Sequence, residues 1–319
     1  MTRFAYTVLV WCLLLGGCAT VSATSQTPKE KPATSWQASL DVDHPLVGSV
    51  WSRRARQVVD RETLFEALRQ PAIVLVGERH DHPDHHALQA QILGRVRAGA
   101  SVGFEMLDEL DAPALKPGMT PQDVADATQW SSSGWPAFAL YQPVFEVAHR
   151  RNLPIRALHP SRKRLMSRAR NLAVHEAETA ELIERLPAAG RAELRQDIRT
   201  SHCGQANAAM VTMMVAAQVF KDHFMARQLQ AGLDADQQGV VIAGNGHVRR
   251  DYGLPNHLDV ETVSIGLIEV RSGLMTPQDY APERYDYVWF TPRLDDVDPC
   301  EKYREALENM KRRYRKLQR

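Results

Sequence analysis

Residues 76–89 read VGERHDHPDHHALQ, and the fold is decided there. The apolar run AIVLV (72–76) leads into Gly77, and Glu78, His80, His82, His85 and His86 then crowd together before a helical pattern takes over. Pro83 suits a first helical position and Asp84 complements a helix N-terminus. Leu88, Ile92 and Val96 form the apolar stripe of that helix. A strand that ends in a Gly turn and opens a helix is where α/β sheets place their ligand chemistry. His85 lies on the stripe at the first turn and should look towards the strand ends, with His86 looking sideways. His82, His86 and His175 read as surface residues.

Outward from this stretch the same alternation repeats. SVGFEM (101–106) reads as a second buried strand with Glu105 at its C-terminal end. PIRALH (154–159) gives a third, ending at His159, and GVVIA (239–243) a fourth that runs into GNGH (244–247). TVSIGLIE (262–269) is a fifth and YVWF (287–290) a sixth. Helical spacing appears around Leu64 and Leu68, from near Thr120, and around Phe145, Val147 and Ala148. It continues over 163–186 as one helix or two, then over 191–200 and 205–230, and a basic helix closes the chain at 300–319. Strands alternating with helices imply an α/β fold with a mainly parallel sheet and flanking helices. Residues 161–235 hold no strand and are too long for a simple crossover. They read as an inserted smaller helical subdomain capping the carboxyl edge of an α/β domain made of 46–160 and 236–319.

The chain has 319 residues, a formal net charge of +1 and no long basic run, which argues against a general nucleic-acid binder. Arg3 precedes the apolar run AYTVLVWCLLLGG (5–17), too short to span a membrane and shaped like a secretory signal peptide over 1–17. Leu15-Gly16-Gly17-Cys18 resembles a bacterial lipobox, so Cys18 is the expected lipidation site and membrane anchor. Residues 18–45 then form a flexible tether, rich in Ser, Thr, Pro and Lys. Ala19 after the cysteine resembles the outer-membrane sorting pattern, which gives an expected location at the outer membrane, on its periplasmic face. In the mature chain Cys203 and Cys300 remain. One disulfide is possible in an oxidising periplasm, although their spacing does not demand it.

The strand ends carry Glu78 and His80, Glu105, His159, and His247 with Arg249. In a parallel sheet these ends share one edge, so carboxylates and imidazoles from separate loops can converge into a divalent metal site or a general acid/base pair. Glu105 follows VGF in a buried strand and needs a partner, because an unpaired buried charge is costly; Arg249 or His80 is the expected one. The helix over 205–230 carries Met210, Met213, Met214 and Met225 beside Asp222 and His223, with His202 just upstream. That composition suits packing, and it also suits a flat apolar cofactor with a polar rim. Tyr141, after Trp135 and Phe138, reads from the residues alone as a packing tyrosine.

VGERHDHPDHHALQ, VGFEM, GWPAFALYQPVFEVAHRRNLPIRAL, SHCG, MVAAQVFKDHFMA and VVIAGNGHVRRDYGLP, in this order over about residues 70–270, resemble the ChaN-like haem-binding lipoproteins. The resemblance implies an α/β domain with a smaller helical one, a role in iron or haem uptake, and non-covalent b-type haem held between the subunits of a homodimer. It also raises an outer-membrane haem receptor as a partner. It implies a tyrosine on the iron, carried over to Tyr141, with histidine assistance for which His159, His202 and His223 are the candidates and Met214 a wall of the site. More distantly, the GExH turn, the later Glu and GxGH look like erythromycin-esterase-like and TIKI-type proteins. On that reading a hydrolase, of esterase or peptidase type, would use Glu78 or Glu105 as general base or metal ligand. His80 and His247 would be further ligands, and Arg249 would stabilise developing negative charge. A third reading is a degenerate site in a structural or interaction lipoprotein.

Overall fold

Strand β3, Ile73–Val76, is apolar at every position because it is buried on both faces. Val74 and Val76 point into one core, while Ile73 and Leu75 point into another. The computed structural model describes residues 35–171 and 174–317; the expected signal segment, Cys18 and the expected tether as far as residue 34 lie outside them. The eight-stranded sheet also contains β1 (Val50–Ser52), β2 (Gln57–Val59), β4 (Ser101–Asp108), β5 (Ile155–His159), β6 (Gly239–Ile242), β7 (Thr262–Glu269) and β8 (Tyr287–Thr291), in the order β2-β1-β8-β7-β3-β6-β4-β5. From β8 to β5 every pairing is parallel. The parallel α/β reading therefore holds. The sequence reading lacked the β1–β2 hairpin, which joins β8 antiparallel at the sheet edge.

Helix α1 (Arg61–Ala67) leads into β3 and α2 (Pro83–Leu93) leaves it. Helices α3 (Pro121–Ala127), α4 (Trp130–Ser133) and α5 (Phe138–Arg150) lie between β4 and β5. The first core packs Leu88 and Ile92 of α2, and Val144 and Phe145 of α5, on Val102 and Phe104. Between β5 and β6 run α6 (Arg162–Arg170), α7 (Glu176–Glu184), α8 (Ala188–Ser201) and α9 (Ala208–Ala231). These helices have a core of their own, with Leu182, Leu194, Ile198, Val211, Val215 and Val219. The C-terminal half of α9 leaves it, and Met225 and Leu229 cover the second face of the sheet.

A short helix α10 (Pro299–Lys302) and the basic helix α11 (Arg304–Leu317) close the chain. Cys203, just after α8, forms a disulfide with Cys300 across 97 residues of sequence. The sequence left that bond open. It ties the helical segment to the C-terminal helices and suits an oxidising compartment. No described helix is long and apolar enough to cross a membrane.

Candidate functional site

The turn after β3 is shaped by close approach. A Cβ on Gly77 would run into the Asn245 side chain, and one on Gly244 would stand 3.0 Å from His80 Nε2. Asn245 is held in turn by the β7 backbone: its Nδ2 donates to Leu267 O (2.7 Å), and its Oδ1 accepts from Leu267 N–H (3.1 Å). GERH and GNGH are thus pressed together at the carboxyl edge of the sheet.

Two buried carboxylates organise this edge. Glu78 is 2 % exposed and accepts from Tyr141 Oη (2.6 Å), from Gln89 Nε2 (2.7 Å) and from His80 Nδ1 (2.7 Å), with His86 Nδ1 at 3.3 Å. Burial alone would raise its pKa; His86 and His80 more than reverse that and hold it well below the usual carboxylate range. Glu105, also 2 % exposed, accepts from Gly244 N–H (2.9 Å) and pairs with His247 Nε2 (3.0 Å) and Lys221 Nζ (3.8 Å). His247 Nδ1 donates to Asp222 of α9. Burial disfavours the imidazolium, but Glu105 and Asp222 outweigh it and raise the His247 pKa to about 9. A cation between two carboxylates is the arrangement that lets all three be buried.

The structure therefore brings Glu78, His80, Glu105 and His247 to one edge, as their strand ends implied. The partner of Glu105 is His247, with His80 Nε2 at 4.0 Å. Arg249 does not reach it. Its guanidinium is bound by Asp251 and Asp197, with Glu193 nearby, on the side of α8. Among the described residues no group of three or more His, Cys, Asp or Glu side chains is spaced to hold a metal ion. The carboxylates are already engaged by imidazoles, Lys221, Gln89 and Tyr141.

The reading of His82 and His86 as surface residues is corrected: both are 0 % exposed. His82 Nδ1 accepts from Asp84 N–H (3.2 Å), capping α2, while Nε2 donates to Pro292 O (3.0 Å). His86 Nε2 donates to His80 O (3.1 Å). His85 points inward as expected, accepting from Arg79 N–H (2.8 Å) and reaching Thr291 Oγ1 (3.1 Å). These rings are the turn's internal scaffold. Partner groups at 291 and 292, supplied by the far end of the chain, meet His85 and His82, while His86 is held locally by Glu78, Gln89 and His80 O.

Beside this edge lie two clefts that share His159 and Leu165. The larger, of 640 Å³, is walled by Trp130 and Trp135 with Asp108 and Arg162. The smaller, of 260 Å³, is apolar and formed by Met166, Met213, Met214 and Phe220, with Arg168 and Lys221 also in its lining. The Trp135 ring makes T-shaped contacts with both His80 (4.8 Å between ring centroids) and His159 (6.3 Å). Burial, and then Lys221, lower the His159 pKa.

Of the residues put forward from the sequence for a flat cofactor, His159 and Met214 line this space. Tyr141 is 0 % exposed, packed against His86 and Trp130, with its hydroxyl committed to Glu78. His202 Nδ1 donates to Ile198 O (2.7 Å) at the end of α8, and His223 packs on His257 (5.8 Å); neither lines the clefts. The sequence reading missed Asp222, Lys221, Trp135 and Arg162 as site residues. For Asp222 a signal existed. It continues the buried stripe Val211, Val215, Val219 of α9, so it had to be buried and therefore paired.

A family model described as haem-binding uptake, Tiki superfamily, ChaN matches residues 64–258. Among solved structures, one described as showing cofacial haem binding to ChaN of Campylobacter jejuni is similar at 18 % identity, over 75 % of this chain and 95 % of that one, with a TM-score of 0.57. At that identity the likeness concerns the fold. The type III effector HopBA1 matches at 15 % identity over 72 % of this chain and 92 % of its own, with a TM-score of 0.42. No curated protein matches.

Proposed function

Because the chain belongs to the ChaN haem-binding uptake family of the Tiki superfamily, we propose that it binds haem in the paired clefts beside the sheet edge, as a lipid-anchored uptake protein. One observation carries this reading: the two clefts meet at His159, and their walls supply what haem requires. Tryptophan and methionine side chains offer apolar contact to a porphyrin face. Arg162 and Lys221 offer cations to its propionates. The volumes fall within the range of ligand sites, roughly 300–1,000 Å³, for the two spaces together. The residues present therefore fit haem. When bound it supplies an iron centre, and the protein's part is to hold and orient it.

The finer parts of the proposal rest on the sequence. Cys18 carries the lipid, and the tether holds the domain at the outer membrane on the periplasmic side, where it takes haem from or passes it to an envelope receptor. The clefts are open, so a second copy of the chain covering the exposed haem face is the expected bound state. The disulfide supports an oxidising location. A metal-dependent hydrolase at Glu78, His80, Glu105 and His247 is not favoured, because the carboxylates are paired internally and Arg249 faces elsewhere.

Titrating the purified protein with hemin while following the Soret band and the elution volume tests the proposal. The expected result is saturation at one hemin per chain with a shift to a dimer. A spectrum indistinguishable from free hemin throughout the titration would refute it.

A further inference from the structure

We propose that α11 is a membrane-surface helix whose basic end docks on the anionic headgroups of a phospholipid bilayer; this goes beyond the haem reading and does not depend on it. Six of the nine residues from Lys311 to Arg319 are Lys or Arg, and none is acidic. The whole chain carries only +1, so everything outside this short stretch is net acidic. The residues just before it are acidic as well: from Asp295 to Glu308 six acidic residues stand against Lys302 and Arg304. Acid early and base late suits the dipole of a helix, but the dipole favours cations only in the last turn. Lys311 and Arg312 lie more than a turn before the end of α11 at Leu317.

The helix is held at its base. The Cys203–Cys300 disulfide fixes α10, and Lys302 Nζ pairs with Asp81 (2.9 Å) and Asp295 (2.8 Å). Among the described side chains of α11, Leu307 alone is buried. In sequence Leu307, Met310, Tyr314 and Leu317 recur at helical spacing with basic residues between them, the pattern of a basic helix that lies on a bilayer. Arg304 is paired with Glu301 (3.1 Å), whereas among the described residues Lys311 and Arg312 form no ion pair. Each cation near an anionic bilayer surface strengthens binding about fivefold. The same surface repels the acidic remainder of the chain, so attraction and repulsion together orient the domain with its basic end towards the bilayer. Beside the lipid proposed at Cys18, α11 supplies a second contact.

Co-sedimentation with vesicles tests this on the chain from residue 18 onward carrying Cys18→Ser, so that no attached lipid contributes. Vesicles of phosphatidylglycerol and phosphatidylcholine in equal parts should retain it, and vesicles of phosphatidylcholine alone should not. Retention should be lost at about 1 M salt, where the screening length falls to about 3 Å. Arg312→Gln, Arg313→Gln, Arg315→Gln and Lys316→Gln together should weaken binding on the order of 500-fold. Arg312→Lys, Arg313→Lys and Arg315→Lys together should bind as the parent chain does, because headgroup docking reads charge rather than guanidinium geometry; a loss caused by misfolding would not be spared in this way. The proposal is overturned if the parent chain binds both kinds of vesicle equally or neither, or if the glutamine variant binds as well as the parent. A parent chain that ignores the vesicles and instead retards a DNA duplex assigns the basic end to nucleic acid, which also overturns it. Hemin is absent from the experiment, so none of these results bears on the haem reading.

Discussion

Replacing His247 by Gln removes the positive charge between Glu105 and Asp222 while keeping a polar group of similar reach. The folded-state pKa of His247 is raised from 6.5 to about 9. A shift of that size, at about 1.4 kcal/mol per unit, corresponds to about 3 kcal/mol of stabilisation. The group is only 6 % exposed, so solvent screening takes little from that figure. Since the folded pKa lies above the unfolded one, the stabilisation is complete below about pH 6.5 and declines as pH rises through about 9. Urea unfolding of both proteins should therefore show a gap of about 3 kcal/mol near pH 6 that closes as the pH passes 9. Against a typical folding stability of about 5–15 kcal/mol, the loss is large. A gap of the same size at both ends of that range, or one below about 1 kcal/mol near pH 6, would show that the carboxylates are not held by the imidazolium.

Three further outcomes rest on particular contacts. Tyr141→Phe takes a donor from the buried Glu78 and should lower stability by about 1.5–3 kcal/mol, read as a fall in the urea midpoint. Gly190→Ala gains about 1 kcal/mol of helix propensity in α8, but its Cβ would occupy the place of the Asp251 carbonyl. Overpacking of about 1–3 kcal/mol should win, giving a lower melting temperature. Cys300→Ser opens the 97-residue cross-link and should cost up to about 4–5 kcal/mol on the chain-entropy account. Adding a reductant to the wild type should lower its melting temperature to the variant's.

Much of the fold was legible because β3, β4, β6 and β7 are short apolar runs bounded by Gly or polar turns, the pattern of strands in a sheet covered on both faces. The hairpin β1–β2 was not. Three-residue strands around SRRARQ carry too little pattern, and the edge of β8 is what pairs them. At the site, strand ends located Glu78, His80, Glu105 and His247 correctly, since strand direction alone brings them together. Partnerships were harder to read. Glu105 takes His247 rather than Arg249 because Asp222 reaches the same imidazole from α9, and no local pattern couples 105, 222 and 247. His82 and His86 were misplaced for a related reason: a histidine is as easily buried as exposed. The acceptor that holds His82, Pro292 O, lies far along the chain, whereas the partners of His86 are close in sequence and only the folded turn aims them at its ring.

Trp135 stands nearly perpendicular to the His159 ring, and Trp130 lines the same cleft, whereas Trp51 and Trp289 sit in β1 and β8 towards the opposite edge of the sheet and Trp36, packed against both cores, adds a constant background. A porphyrin absorbs where indole emits, and energy transfer between the two weakens steeply with separation. The protein thus carries its own optical ruler. Light from the near pair should be extinguished when the cleft fills, while the distant pair retains more of its emission. The ratio of the two would report where on the molecule a haem has come to rest without any label being attached.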